Sequence, residues 1–216
     1  MFIFSDIAIL AQKPLTKTGV ALSKQPYVSQ VWNPDLGNGM YKNPVINADY
    51  SDPDVVCVGD DYYMTASSFN CIPGLPILHS KDLVNWELVG HAIEKLQPER
   101  EFDMPSHGNG VWAPCISYHN GEFYIYWGDP DYGVFMVKTK NPAGKWGEPV
   151  CVIPGKGMID TSPLWDEDGR VYLVNGWANS RNRFASVITV RELNAEGTKA
   201  ISDPVIVFDG NGTEYR

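Results

Sequence analysis

Nothing in this chain of 216 residues approaches the roughly 20 consecutive apolar residues that a membrane-spanning helix needs. Basic runs are missing as well. Seventeen Lys and Arg face 26 Asp and Glu, and the formal net charge of −9 argues against nucleic acid as a partner. Cysteine is sparse: Cys57, Cys71, Cys115 and Cys151, none at the C-x-x-C spacing of redox and zinc motifs. Each lies in or beside an apolar segment, so four buried free thiols acting as small apolar residues are expected. Four histidines, His79, His91, His107 and His119, are scattered without ligand spacing, and the residues by themselves predict neither a metal site nor a cofactor. Long stretches of helical period are absent too. The one helix-like stretch falls near residues 96–100.

What is present reads as strand. The chain is 44% hydrophobic and 12% aromatic, the composition of a folded globular protein. From Asn43 onward, short runs rich in Val, Ile, Tyr, Phe and Trp alternate with clusters of Gly, Asn, Asp and Pro. The same paragraph of sequence then recurs three times. Its openings are Asp52-Pro53-Asp54, Trp112-Ala113-Pro114 and Asp160-Thr161-Ser162-Pro163. After each comes an apolar run, a tight-turn signal (Gly59-Asp60-Asp61, Asn120-Gly121, Asp168-Gly169) and an aromatic-rich run. A repeat of about fifty residues built from four short strands predicts an all-β propeller.

Blade one is expected over residues 43–90, blade two over 110–154 and blade three over 158–208, with a fourth blade starting at 209–216. Residues 1–42 are read as a leader or arm. The apolar segments Phe2-Ile3-Phe4 and 7–11 resemble the tail of a secretory signal, although Asp6 interrupts it and a basic start is missing. A secreted or periplasmic protein is the corresponding expectation. Three blades do not close a ring, so a fragment of a longer propeller is expected.

In a propeller the innermost strands ring one axis, so equivalent openings meet at one site. Asp52 and Asp160 then face a common funnel, and Trp112 supplies an aromatic wall or floor. Taken singly, an Asp before Pro or Thr is a turn residue or cap; it is the recurrence that points to chemistry. Acidic groups in an aromatic funnel suit glycoside hydrolysis. That reaction needs one carboxylate to activate a nucleophile and one carboxylic acid to protonate the leaving oxygen. A third carboxylate nearby keeps the acid protonated through like charge.

Several ordered motifs make the chain resemble glycoside hydrolase family 43. They are Asn43-Pro44-Val45, Tyr50-Ser51-Asp52-Pro53-Asp54, Pro73-Gly74-Leu75-Pro76-Ile77 and the run from His79 to Trp86. In later blades they are His107-Gly108-Asn109-Gly110-Val111-Trp112-Ala113-Pro114 and Ile159-Asp160-Thr161-Ser162-Pro163-Leu164-Trp165-Asp166. The resemblance implies a five-bladed β-propeller, of which about three blades are present here. It also implies inverting hydrolysis of terminal pentose linkages, xylosyl or arabinofuranosyl, in plant cell-wall oligosaccharides or polysaccharides. Within it, Asp52 corresponds to the general base and Asp160 to the carboxylate that raises and orients the acid. The family's acid is a Glu before Gly-Pro or Ala-Pro at the start of blade four. Glu214 is followed by Tyr215-Arg216, a departure that places the acid beyond Arg216 and predicts an inactive chain as it stands.

The same resemblance places Phe69, Asn70 and Ile72 at the wall for the terminal sugar. It puts Asn70-Cys71-Ile72 where family xylosidases carry an aromatic. His107 and Asn109 are expected at the funnel mouth. The loops carrying Trp127 with Asp129-Pro130-Asp131, and Trp177, Asn179 and Arg181, are candidates to line the pocket, with solvated surface as the default reading. Some family members hold an axial calcium, whose ligands would lie partly in further blades. A non-catalytic carbohydrate-binding propeller is the alternative reading, and the presence of both Asp52 and Asp160 argues against it.

Overall fold

The computed structural model describes residues 28–212; the apolar N-terminal stretch and Glu214 lie outside the described residues. Three four-stranded antiparallel sheets follow one another along the chain. The first holds β1 (Asp54–Val58), β2 (Asp61–Thr65), β3 (Gly74–Ser80) and β4 (Trp86–Ile93). The second holds β5 (Trp112–His119), β6 (Glu122–Asp129), β7 (Gly133–Thr139) and β8 (Val150–Pro154). The third holds β9 (Met158–Trp165), β10 (Val171–Trp177), β11 (Val187–Leu193) and β12 (Val205–Asp209). Each is a simple up-and-down meander in chain order, the arrangement of a propeller blade. Short hairpins set the register. Asn120 and Gly121 both adopt positive φ, 47° and 82°, so that His119 pairs directly with Glu122.

Blade to blade, the first strands pack on one another: β5 lies against both β1 and β9. The period of two along β6 explains how the middle sheet is held. Phe123, Ile125 and Trp127 enter one core with Tyr63, Leu75 and Ile77 of the first sheet. Tyr124 and Tyr126, on the opposite face, enter a second core with Val171, Leu173 and Leu193 of the third sheet. The middle sheet is therefore buried on both faces. The third sheet keeps Leu164, Ile188, Val205, Ile206 and Phe208 exposed.

Two expectations need correction. The four cysteines are free, but Cys57, Cys71 and Cys151 are exposed and only Cys115 is partly covered. Cys57 sits on the face of β1 opposite to the side chains that enter the core, Cys151 lies on outer strand β8, and Cys71 is in a loop. The helix-like turn expected near residues 96–100 is present as a 3₁₀ turn at Glu99–Phe102, with Leu96 buried in the core ahead of it. A short helix, α1 (Asn179–Asn182), follows β10 where the sequence suggested only loop. No helix among the described residues is long and apolar enough to cross a membrane.

Candidate active site

Asp52 and Asp160 share an unusual backbone state. Both carry positive φ, 48° and 54°, immediately before or within the innermost strand of their sheets. Ordinary L-residues rarely occupy that region, and a repeated outlier marks a position fixed by its surroundings. In the second sheet the matching state belongs to Ala113, φ 35°, one residue after Trp112. The reading that put Trp112 at the equivalent place is thus one position out. Asp52 and Ala113 both precede proline, and the ladder of β5 with β6 shifts register between Trp112 and Cys115 to absorb the turn.

The Asp52 carboxylate is held from two sides. Its Oδ2 accepts a hydrogen bond from Ser67 Oγ at 2.8 Å and another from Ser51 Oγ at 3.0 Å. Ser67 Oγ in turn accepts the Ala113 backbone N–H at 2.8 Å. The openings of the first two blades are thereby tied through one serine. The next inward carboxylate is also committed: Asp54 Oδ2 accepts the Ile116 backbone N–H at 2.8 Å, pinning β1 to β5.

Asp160 differs. No hydrogen bond to its carboxylate is found among the described residues, and its Oδ2 packs near Gly176 on β10. The residue is exposed by area, yet enough protein surrounds the carboxyl to desolvate it in part. That desolvation, followed by the negative charge of Asp52, raises its pKa above the usual aspartate value. Asp160 is therefore close enough to Asp52 to feel its charge.

Phe69, two residues after Ser67, is half-buried with φ 50°. Its N–H and C=O exchange two 3.0 Å hydrogen bonds with Val111, bridging the first blade to the strand leading into Trp112. Gly110 is required there, because a Cβ would run into the Phe69 carbonyl. The Trp112 indole N–H donates to Gly108 O at 2.7 Å, and the guanidinium of Arg181 lies 5.3 Å from its ring centroid. Asn109 joins this group, accepting from Arg181 Nη2 at 2.9 Å. His107 is exposed in the same loop, and among the described residues no hydrogen bond, ion pair or ring contact ties it to the other site residues.

Two loops read as solvated surface are in fact engaged. Asp129 is 1% exposed and its Oδ1 accepts the N–H groups of Asp131 and Tyr132. Burial pushes its pKa up to about 6, with the Asp131 charge adding to the rise and Arg181 and the two N–H donors opposing it. Asp131 forms a fork with Arg181, at 3.2 Å to Nε and 3.0 Å to Nη2. The sequence signal missed here was the aspartate pair itself, spaced to make a side-chain-capped turn. Ser67, by contrast, gives no signal: it finds Ala113 across 46 residues of chain. Among the described residues, no three His, Cys, Asp or Glu side chains gather as a metal cage.

Comparison with known proteins shows the family to which the chain belongs. The profile of glycosyl hydrolases family 43 matches residues 41–216. A beta-xylosidase of Formosa agariphila is 36% identical over 190 residues, covering 83% of this chain and 32% of that protein. A non-reducing end alpha-L-arabinofuranosidase of Bacteroides ovatus is 40% identical over 147 residues, covering 66% of this chain and 27% of that protein. Among solved structures, the GH43 protein BlXynB of Bacillus licheniformis superposes with a TM-score of 0.65 at 35% identity, over 80% of this chain and 34% of that one. The chain spans about a third of the length of the curated relatives it matches.

Proposed function

The chain belongs to glycosyl hydrolase family 43, and from that footing we propose that it forms the first three blades of a five-bladed propeller whose axial site releases terminal xylose or arabinofuranose by inversion. The observation that carries the reading is the pairing of Asp52 and Asp160. They open innermost strands of different blades and share one rare backbone state, and Asp160 feels the charge of Asp52. The relatives bear the names beta-xylosidase and alpha-L-arabinofuranosidase, which supports a pentoside as the substrate class.

In this mechanism Asp52 accepts a proton from a water molecule while the water oxygen attacks the anomeric carbon. The glycosidic C–O bond breaks on the opposite face, and the leaving oxygen takes a proton from a carboxylic acid. The Ser67 and Ser51 hydroxyls, which fix Oδ2, orient Asp52 and leave its other oxygen for the water. Asp160 contributes charge. Its carboxylate keeps the proton donor, a glutamate outside the described residues, protonated near neutral pH and correctly turned. Phe69, Trp112, His107 and Asn109 are assigned to the sugar: an apolar wall, a stacking ring and two polar groups at the mouth.

Stereochemistry tests the reading directly. The protein that contains these residues is mixed with aryl β-xyloside and aryl α-L-arabinofuranoside, and the first-formed anomer is followed by proton NMR. Pentose of inverted configuration is expected from at least one substrate. A retained anomer would remove Asp52 from the role of base, and saccharide binding without turnover would replace the enzyme by a binding protein.

A further inference from the structure

Arg181 spends most of its fork within the protein. Nε and Nη2 grip both oxygens of Asp131, Nη2 also donates to Asn109 Oδ1 at 2.9 Å, and Nη1 donates to Ser180 Oγ at 3.0 Å. The same guanidinium lies over the Trp112 ring. A group so committed has little left for a ligand, yet two of its four partners, Trp112 and Asn109, are assigned above to the sugar.

The support behind Arg181 is built from backbone. Residue 181 sits in α1, whose Ala178 N–H donates to Gly157 O at 2.8 Å, and Gly157 N–H donates to Pro130 O at 2.7 Å. Asn182 Nδ2 donates to Lys156 O at 3.0 Å. Asp131, the anchor of the fork, is held in a turn capped by buried Asp129. Asn109 is fixed on its other side by Ser106 Oγ, to which its amide donates at 2.8 Å. The indole of Trp112 is fixed at its nitrogen by Gly108 O, so the guanidinium over the ring restrains the remaining freedom, its tilt.

We propose that Arg181 is a positioning residue for the saccharide site: it locks the Trp112 ring and the Asn109 amide in place from the third blade, without itself touching sugar. The proposal rests on the assignment of that site to a pentoside, and it adds that substrate affinity depends on an inter-blade ion pair. A bidentate guanidinium with a stacking face does what an ammonium cannot, so lysine is not an equivalent replacement.

The test uses the protein that contains these residues, labelled with 5-fluorotryptophan. The fluorine resonance absent from Trp112→Leu belongs to Trp112. Arg181→Lys is expected to shift or broaden that resonance and to raise KM about tenfold, the scale of a misplaced binding group, with kcat held within about twofold. In the Trp112→Leu background the same change should alter KM less, by the share that runs through Asn109 alone. An unmoved resonance, an equal factor in both backgrounds, or a loss confined to kcat would each overturn the lock. Should Arg181→Lys fail to fold, Asp131→Asn loosens the same fork and carries the same expectations. Titration of xylose against the Trp112 signal reads affinity without turnover. A protein that hydrolyses no pentoside then fails the catalytic reading alone, while a xylose affinity unaffected by Arg181→Lys fails the lock alone.

Discussion

Asp52 and Asp160 occupy the same backbone state at the openings of two blades, yet their surroundings are opposite. Asp52 is gripped by two hydroxyl donors and tied through Ser67 to the neighbouring blade. Asp160 has no such donors among the described residues and is governed by partial burial and by the charge of Asp52. The difference teaches that a repeat can duplicate a position without duplicating its chemistry. The backbone fixes where each carboxylate stands. The side chains around it decide whether it is oriented for proton transfer or left to act through its field.

Replacing each aspartate by asparagine probes this contrast most strongly. Asp52→Asn is expected to lower kcat by about a thousandfold with little change in melting temperature, since an amide accepts the same hydroxyl donors but cannot take a proton. Asp160→Asn is expected to cost less, about a hundredfold, and to alter the pH profile. Removing its negative charge lowers the pKa of the proton donor, so the alkaline limb moves to lower pH. The sign at the other end follows from the raised pKa of Asp160 itself. Its charge is lost as pH falls through that raised value, sooner than for an ordinary aspartate, and its help to the donor goes with it. Equal losses with unshifted limbs in both variants would erase the distinction. Rate measurements on an aryl pentoside across pH decide it.

Ser67→Ala sharpens the comparison from the side of orientation. It removes the shorter of the two donors to Asp52 and leaves the Ala113 N–H without its acceptor. The expected result is a fall in kcat of about tenfold, with KM little changed and stability lower by about 1–2 kcal/mol. Denaturant titration and steady-state kinetics read the two separately. If kcat were unaffected, Asp52 would need no orienting donor, and the two aspartates would differ only in charge.

How far the sequence reached follows from which contacts are local. Strand alternation, hairpin dipeptides and the repeat marked the three sheets and the paired aspartates, because those signals lie within a few residues of each other. Trp112 was aligned on its aromatic character, whereas the residue that carries the backbone state in the second sheet is Ala113. The first two openings could have been aligned on Asp52-Pro53 and Ala113-Pro114, although Asp160 precedes Thr161. Ser67, and the commitment of Arg181 to Asn109 and Asp131, were not visible, since each joins loops 46 to 72 residues apart. The exposure of Cys57 and Cys151 eluded sequence for a related reason: an apolar strand has two faces, and composition does not say which one the fold covers.

A third aspartate completes the contrast with a carboxylate whose shift concerns stability. Asp129 is buried and its pKa is pushed up to about 6, well above an ordinary aspartate near 3.9. A folded-state value above the unfolded one means that protonation favours the fold. The contribution is fully present below about pH 4 and is lost as pH rises through about 6, so the ionised group costs on the order of 2 kcal/mol at neutral pH. Stability should therefore rise from this group as pH falls from 7 toward 4. Asp129→Asn retains an oxygen for the Asp131 and Tyr132 N–H groups and should flatten that slope. Thermal melts of both proteins across this range measure it. A slope that survives the substitution would move the titrating group elsewhere, with Asp160, the other aspartate held above its usual pKa, as the next to replace.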